Sequence, residues 1–269
     1  MSEIALLTPD WPAPPGVHAL FTLRGQGAGE GASRGAHGAF NLGDHVGDEP
    51  AAVQANRARL TEQLQARPVF LRQVHGSQAI ELDAGTPDGA SADAALTDAP
   101  GLACTVLVAD CLPILLTDTA GRRVAAVHAG WRGLAGGVLE RCLEQFEAPA
   151  LDGCAQDAPQ IRADEVMAWL GPCIGPQAFE VGDEVLAAFT AVDARAGMCF
   201  VPLGAGKHRA DLAALARQRL ERLGVARVYG NDSSAAWCTV GNPQRYFSFR
   251  RDQQRLGGSG RMAACIWRT

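Results

Sequence analysis

Residues 124–137 read VAAVHAGWRGLAGG. Four apolar residues run into His128, and Gly130, Trp131, Arg132 and Gly133 then lead into helix-compatible sequence. A short apolar run followed at once by such a turn predicts a strand, a glycine corner and a helix in direct succession. Two chemical consequences follow. The last side chains of the strand stand at the mouth of the sheet, and the first N–H groups of the helix lack intrahelical partners, which suits a bound anion. His128 occupies the strand end and Arg132 the turn, where a guanidinium can hold phosphate through two parallel hydrogen bonds. The competing reading of Arg132 is a structural turn with a solvated arginine. The segment is no Walker A loop, because the Lys-Ser/Thr pair is missing.

Similar patterning extends outward in both directions. Helices are predicted over 50–67 (Val53, Leu60 and Leu64 on one side), 133–146, 183–192 and 209–223, the last stopped by Gly224. Strands are predicted over 69–74, 78–82, 102–109, 113–117, 124–128, 166–170, 225–229, 245–249 and 262–267. The runs at 102–109 and 124–128 are continuously apolar, as in strands covered on both faces. Residues 24–38, RGQGAGEGASRGAHG, read as a mobile Gly-rich loop, and 147–164 as a polar surface insertion. No repeat or linker divides the chain. The expectation is one α/β domain with mixed sheets over residues 1–269.

Composition narrows the function classes. A net charge of −5 argues against a general nucleic-acid or membrane-surface binder, which needs a basic face. No apolar run is long enough to cross a bilayer, and the N-terminus has no basic segment of a secretory signal, so a cytoplasmic location is expected. The eight cysteines form no C-x-x-C pair and are expected to be reduced.

Three further places carry candidate chemistry. His75 ends a predicted strand in R-Q-V-H-G, where it either faces a cleft or rests half-buried on a backbone partner. Asp110 and Cys111 end the run LACTVLVA. A carboxylate there is costly unless paired, and the thiol is a core residue, a ligand or a nucleophile. Arg250, Arg251 and Arg261 read as a charged edge or as a second anion-holding group. Two histidines and one cysteine, each at a strand end, form a possible catalytic zinc set with a fourth position open. The rival is a Cys111 nucleophile with His75 or His128 as base.

The motifs FNLGDHVGD (40–48), NR (56–57), RQVHG (72–76), ADCLPILLTD (109–118), VAAVHAGWRGL (124–134), GPCIG (171–175) and YFSFRRD (246–252) resemble the YfiH-like family. That family was once labelled polyphenol oxidase or laccase domain and is now described as purine nucleoside phosphorylase; some members are named peptidoglycan editing factor. The resemblance runs from about residue 17 to the C-terminus. It implies a layered sandwich of mixed β-sheets flanked by helices, and a Zn2+ ion on His75, Cys111 and His128, with Asp110 beside them. It implies phosphorolysis of adenosine, inosine, guanosine and methylthioadenosine, and deamination of adenosine. Asn41, Arg57, Gln73 and Arg250, with Arg132, are the candidate substrate or phosphate contacts. The implied partners are small nucleosides and phosphate, not nucleic acid or membrane, and the implied assembly is a monomer or weak homodimer. Asp232 lies farther from the Cys238-Thr239 pair than the family's acidic residue does. The alternative function is a cysteine hydrolase or amidase that edits peptidoglycan precursors. A laccase reading is poor, because the six histidines form no His-x-His pair.

Overall fold

The computed structural model describes residues 4–25, 30–148 and 160–269. Two large mixed sheets lie face to face. In the first, strands run in the order Leu6–Leu7, Val17–Thr22, Met262–Arg268, Leu102–Val108, Arg67–Phe70, with only the last pair parallel. In the second the order is Arg227–Gly230, Val166–Leu170, Leu112–Asp118, Val124–Ala129, Ala94–Thr97, Ala79–Glu81, with a parallel pair at each edge. The architecture is therefore the expected layered α/β sandwich.

Alternation along single strands explains the layering, since successive side chains point to opposite faces. On strand Leu102–Val108, Cys104, Val106 and Val108 join the core between the sheets, whereas Ala103 and Leu107 pack with Leu60 and Leu64 of helix Pro50–Leu64. On strand Val124–Ala129, Val124 and Ala126 face the other sheet, whereas Ala125, Val127 and Ala129 meet Leu139, Cys142 and Phe146 of helix Val138–Glu147. Both strands are buried on both faces, which is why their sequences lack polar alternation. By the same parity His128 falls on the face between the sheets.

Several boundaries differ from the sequence reading. The helix expected over 133–146 is two, Trp131–Ala135 and Val138–Glu147, broken where Gly137 takes φ 91°. The strand expected over 245–249 does not form. Tyr246 and Phe247 are both fully buried instead of alternating, and Ser248 caps helix Phe249–Leu256 by accepting from Arg251 N at 3.1 Å. Strand 69–74 is Arg67–Phe70, and residues 71–76 leave the sheet to form part of the site. Strands Val17–Thr22 and Ala94–Thr97 went unpredicted, as did a small sheet of Glu180–Gly182, Lys207–Ala210 and Phe200–Gly204.

Residues 30–38 of the Gly-rich stretch are tied down: the Ser33 hydroxyl donates to Asp48 at 2.5 Å, and Asn56 Nδ2 donates to Ser33 Oγ at 3.0 Å. Residues 26–29 of that stretch, and 149–159 of the expected insertion, lie outside the described residues.

Candidate metal centre and cavity

Asp110 and Cys111 form the corner where the chain leaves the first sheet and enters the second, between strands Leu102–Val108 and Leu112–Asp118. The turn is sharp enough to hold Asp110 at φ 90°, an unusual conformation for a residue with a side chain. His128 is in register with Pro113 on the adjacent antiparallel strand, so Cys111 and His128 reach the same end of the second sheet. His75, at φ 59°, comes in from the loop that follows strand Arg67–Phe70. Gln73 anchors that loop: its side chain donates to Leu107 O at 2.8 Å and accepts from Leu107 N at 2.7 Å, as a neighbouring strand would.

The ligating atoms of His75, Cys111 and His128 all lie within 4.8 Å of one another, with Cys111 Sγ 3.6 Å from His75 Nε2. Zinc–sulfur and zinc–nitrogen bonds of ~2.3 and ~2.0 Å at a tetrahedral angle give a ligand separation of about 3.5 Å, close to this edge, so the donor set and the edge fit zinc. Space around the site is also reserved. A Cβ on Gly130 would stand 2.8 Å from His75 Cδ2 and 3.0 Å from Cys111 Sγ.

Charge follows from this packing. Burial pushes the Cys111 thiol up, but His128 and His75 beside it overcome that and bring it down to about 6. Burial likewise opposes charge on His128, and the Cys111 thiolate with Asp93 raises it to about 9. Both shifts favour a thiolate–imidazolium pair when no metal is bound.

The cluster opens into a cavity of about 350 Å³. Leu107, Trp131, Ile174, Phe179, Leu212 and Phe249 supply an apolar lining, and His45, Gln73, Arg250 and Arg261 supply polar groups. Arg250 is fastened at 3.2 Å to Glu180 O, and Arg261 at 2.9 and 3.0 Å to Ser259 O and Gly260 O.

The remaining sequence candidates stand at different depths. Asp110 lines the cavity, yet its oxygens are engaged by Thr239 and by Arg250 N. Asn41 is fully buried behind the cavity and accepts from Arg261 N at 2.8 Å. Arg57 lies 4.0 Å from the Phe70 ring centroid, donates to Leu42 O at 3.0 Å and pairs with Asp44 at 3.2 Å, bracing the loop that carries His45. Arg132 is exposed, stacks on Trp131 at 4.3 Å and is not part of the cavity lining. Asp232 is exposed and caps Ser234 N at 3.0 Å.

Sequence reasoning missed Asp93. This residue is fully buried, and its carboxylate bonds His128 Nδ1 at 2.8 Å. It sits in GASADAALTD, a stretch whose small residues give no clear strand period, and no local signal marks it.

The sequence profile of a family described as multi-copper polyphenol oxidoreductase laccase matches residues 18–269. The chain belongs to this family. It is 45% identical over 264 residues to a purine nucleoside phosphorylase of Pseudomonas aeruginosa, covering 98% of each chain. It is 43% identical to the purine nucleoside phosphorylase YfiH of Escherichia coli, over 97% of this chain and 98% of that one. A crystal structure of a Neisseria meningitidis protein superposes with a TM-score of 0.83 at 43% identity, covering 98% of both chains. YlmD from Geobacillus stearothermophilus superposes with 0.84 at 27% identity, over 100% of this chain and 97% of that one. Among the described residues one group of three metal-ligating side chains lies together, and no helix is long and apolar enough to cross a membrane.

Proposed function

We propose that this protein is a zinc-dependent purine nucleoside phosphorylase, converting adenosine, inosine, guanosine or methylthioadenosine and phosphate to free base and pentose 1-phosphate, with adenosine deamination as a second activity. One observation carries the reading: the His75–Cys111–His128 cluster opens into a cavity with an apolar wall and two arginines. The names of the relatives support the same reaction.

In phosphorolysis a phosphate oxygen bonds to C1′ while the bond from C1′ to the purine nitrogen breaks and its electron pair leaves with the base. The groups that suit each part are present. Arg250 and Arg261 meet the phosphate charge, and their carbonyl anchors fix them before it arrives. Trp131, Phe179 and Phe249 offer ring faces to the purine and exclude water from the reacting centre. Asp110 is already engaged by two donors and serves to hold the corner, not to take a proton. A zinc held by His75, Cys111 and His128 would supply Lewis acidity, useful for glycosidic cleavage and for attack of water at the purine C6.

The same reading makes the chain one catalytic domain, a monomer or weak homodimer working in the cytoplasm on small molecules. Its seven described cysteines, all free, suit a reducing compartment.

A second reading has one observation in its favour. The Cys111 thiol held near 6 beside His128 is also how a cysteine nucleophile is prepared, as in an amidase acting on peptidoglycan precursors. One set of measurements separates the two: metal content, phosphate-dependent release of purine from adenosine and inosine, and mass spectrometry of enzyme quenched during turnover. Zinc, pentose 1-phosphate and an unmodified Cys111 peptide support the phosphorylase. A substrate-derived mass on that peptide overturns it.

A further inference from the structure

The metal-ligand cluster contains two histidines that reach it from opposite sides, one from a sheet strand and one from a loop. What fixes them relative to each other is Asp93, at the N-terminal edge of strand Ala94–Thr97. Its side chain is fully buried between the two. Oδ1 accepts from His128 Nδ1 at 2.8 Å and from His75 N at 2.9 Å. Oδ2 accepts from Gly76 N at 2.7 Å and from Val74 N at 3.2 Å. The Asp93 carbonyl accepts from His128 N at 2.7 Å as well.

Three consecutive N–H groups converging on one anion, with the middle residue left-handed at φ 59°, form a nest of the kind that otherwise takes an external anion. Here the chain supplies its own. A histidine that donates from Nδ1 to a carboxylate has its lone pair on Nε2, the atom that then faces a metal. The same oxygen therefore sets the tautomer of one histidine and the backbone position of the other.

We infer that Asp93 is a positioning residue for the metal set, coupling the His75 loop to the His128 ring so that both imidazoles face one ion. The inference rests on the metal reading of the site given above. It adds a requirement that no ligand residue itself imposes: both carboxylate oxygens are needed. An asparagine at 93 has one acceptor oxygen, so either the nest or the His128 bond faces an N–H against an N–H. Loss of such a partner weakens metal affinity roughly 10- to 100-fold.

A matched control exists in the same protein. Asp118 is also fully buried and also collects three backbone N–H groups, those of Ala120, Arg122 and Arg123, in a turn that does not touch the cluster. A purely structural loss should look alike in the two variants.

The test is zinc competition against a chromogenic chelator for the wild-type protein, Asp93→Asn and Asp118→Asn, with thermal unfolding of each. A roughly 10- to 100-fold loss of zinc affinity in Asp93→Asn, with Asp118→Asn binding like wild type, is expected. Equal affinity in wild type and Asp93→Asn overturns the inference while leaving the metal reading intact. A wild-type protein that binds no zinc overturns both. Should Asp93→Asn fail to fold, the wild-type protein still decides. In its zinc-loaded form, long-range proton–nitrogen spectra should show His128 protonated at Nδ1 and ligating through Nε2. Metal on Nδ1 would sink the idea.

Discussion

Asp110 Oδ1 accepts the Thr239 hydroxyl at 2.5 Å, across a separation of 129 residues. Its Oδ2 accepts Arg250 N at 2.7 Å, and Asp110 O accepts Ile174 N at 2.9 Å. The residue before Cys111 thus joins the 171–175 turn, the 239 segment and the start of helix Phe249–Leu256, from which Arg250 projects into the cavity. Thr239→Val keeps the shape and removes the donor. It should cost about 1–3 kcal/mol in denaturant unfolding, because a buried carboxylate oxygen loses its partner. It should also raise KM for phosphate more than it lowers kcat, because Arg250 is displaced and the cluster less so. Unchanged stability and an unchanged phosphate requirement would remove Asp110 from this role.

Gly130 offers a cleaner perturbation of the metal cluster. Its backbone is ordinary, at φ −66°, so alanine brings no backbone strain, only a methyl group pointing at His75 and Cys111. Gly130→Ala should therefore fold, at a modest cost in stability as the His75 ring or the Cys111 thiol is pushed aside, and bind zinc at least ten-fold more weakly, an effect of about 1.4 kcal/mol. Full zinc content in the alanine variant would mean that the cluster does not close to a tetrahedral site.

How far the sequence could show this site depends on where each constraint lies along the chain. His128 and Cys111 were legible because long apolar runs stop at them, and buried strands ending in polar residues are visible locally. The double-sided burial of strands Leu102–Val108 and Val124–Ala129 was legible for the same reason. Asp93 was not, because its role comes from contacts with residues 74–76 and 128, and nothing in its own neighbourhood records them. Residues 245–249 read as a strand because aromatic residues dominate YFSF, the helix Phe249–Leu256 that follows has no reading in the sequence, and the Ser248 cap that decides the matter is a single weak local signal. Arg132 shows the opposite case, a clear local signal on a side chain outside the cavity lining. Its local pattern suits an anion, but the first turn of helix Trp131–Ala135 directs the guanidinium over Trp131 and outward.

That placement makes the phosphate contacts testable. Arg250→Gln and Arg261→Gln should each raise the phosphate KM roughly 10- to 150-fold, the equivalent of a charge-assisted hydrogen bond worth about 1.5–3 kcal/mol. Arg132→Ala should change it less than about two-fold, as an exposed side chain away from the reacting groups does. Steady-state phosphate titrations of the three variants check the ranking. A phosphate defect confined to Arg132→Ala would move the anion site to the helix start and out of the cavity.

Chelation should expose the state of Cys111 directly. Thiolates alkylate and thiols do not, so the rate of alkylation follows the ionised fraction. In metal-free protein the thiol is brought to about 6 by His128 and His75 against the effect of burial. A depressed value means the reactive anion is present above pH 6 and is lost as pH falls through it. Alkylation of Cys111 by iodoacetamide should thus be level between about pH 7 and 9 and fall below about pH 6. A cysteine at the ordinary value of 9.0 would instead keep accelerating up to pH 9. The buried Cys142 and Cys265, both pushed to about 12 by burial, should stay unlabelled in the native protein and serve as internal references. One equivalent of zinc should then suppress labelling at Cys111 across the whole range, because coordination draws the thiolate's charge onto the metal and lowers its nucleophilicity. Peptide mapping after timed alkylation gives all of these rates from one digest. Rapid labelling of Cys111 that persists in zinc-saturated protein would take the thiolate out of the metal set and hand the site to the nucleophile reading.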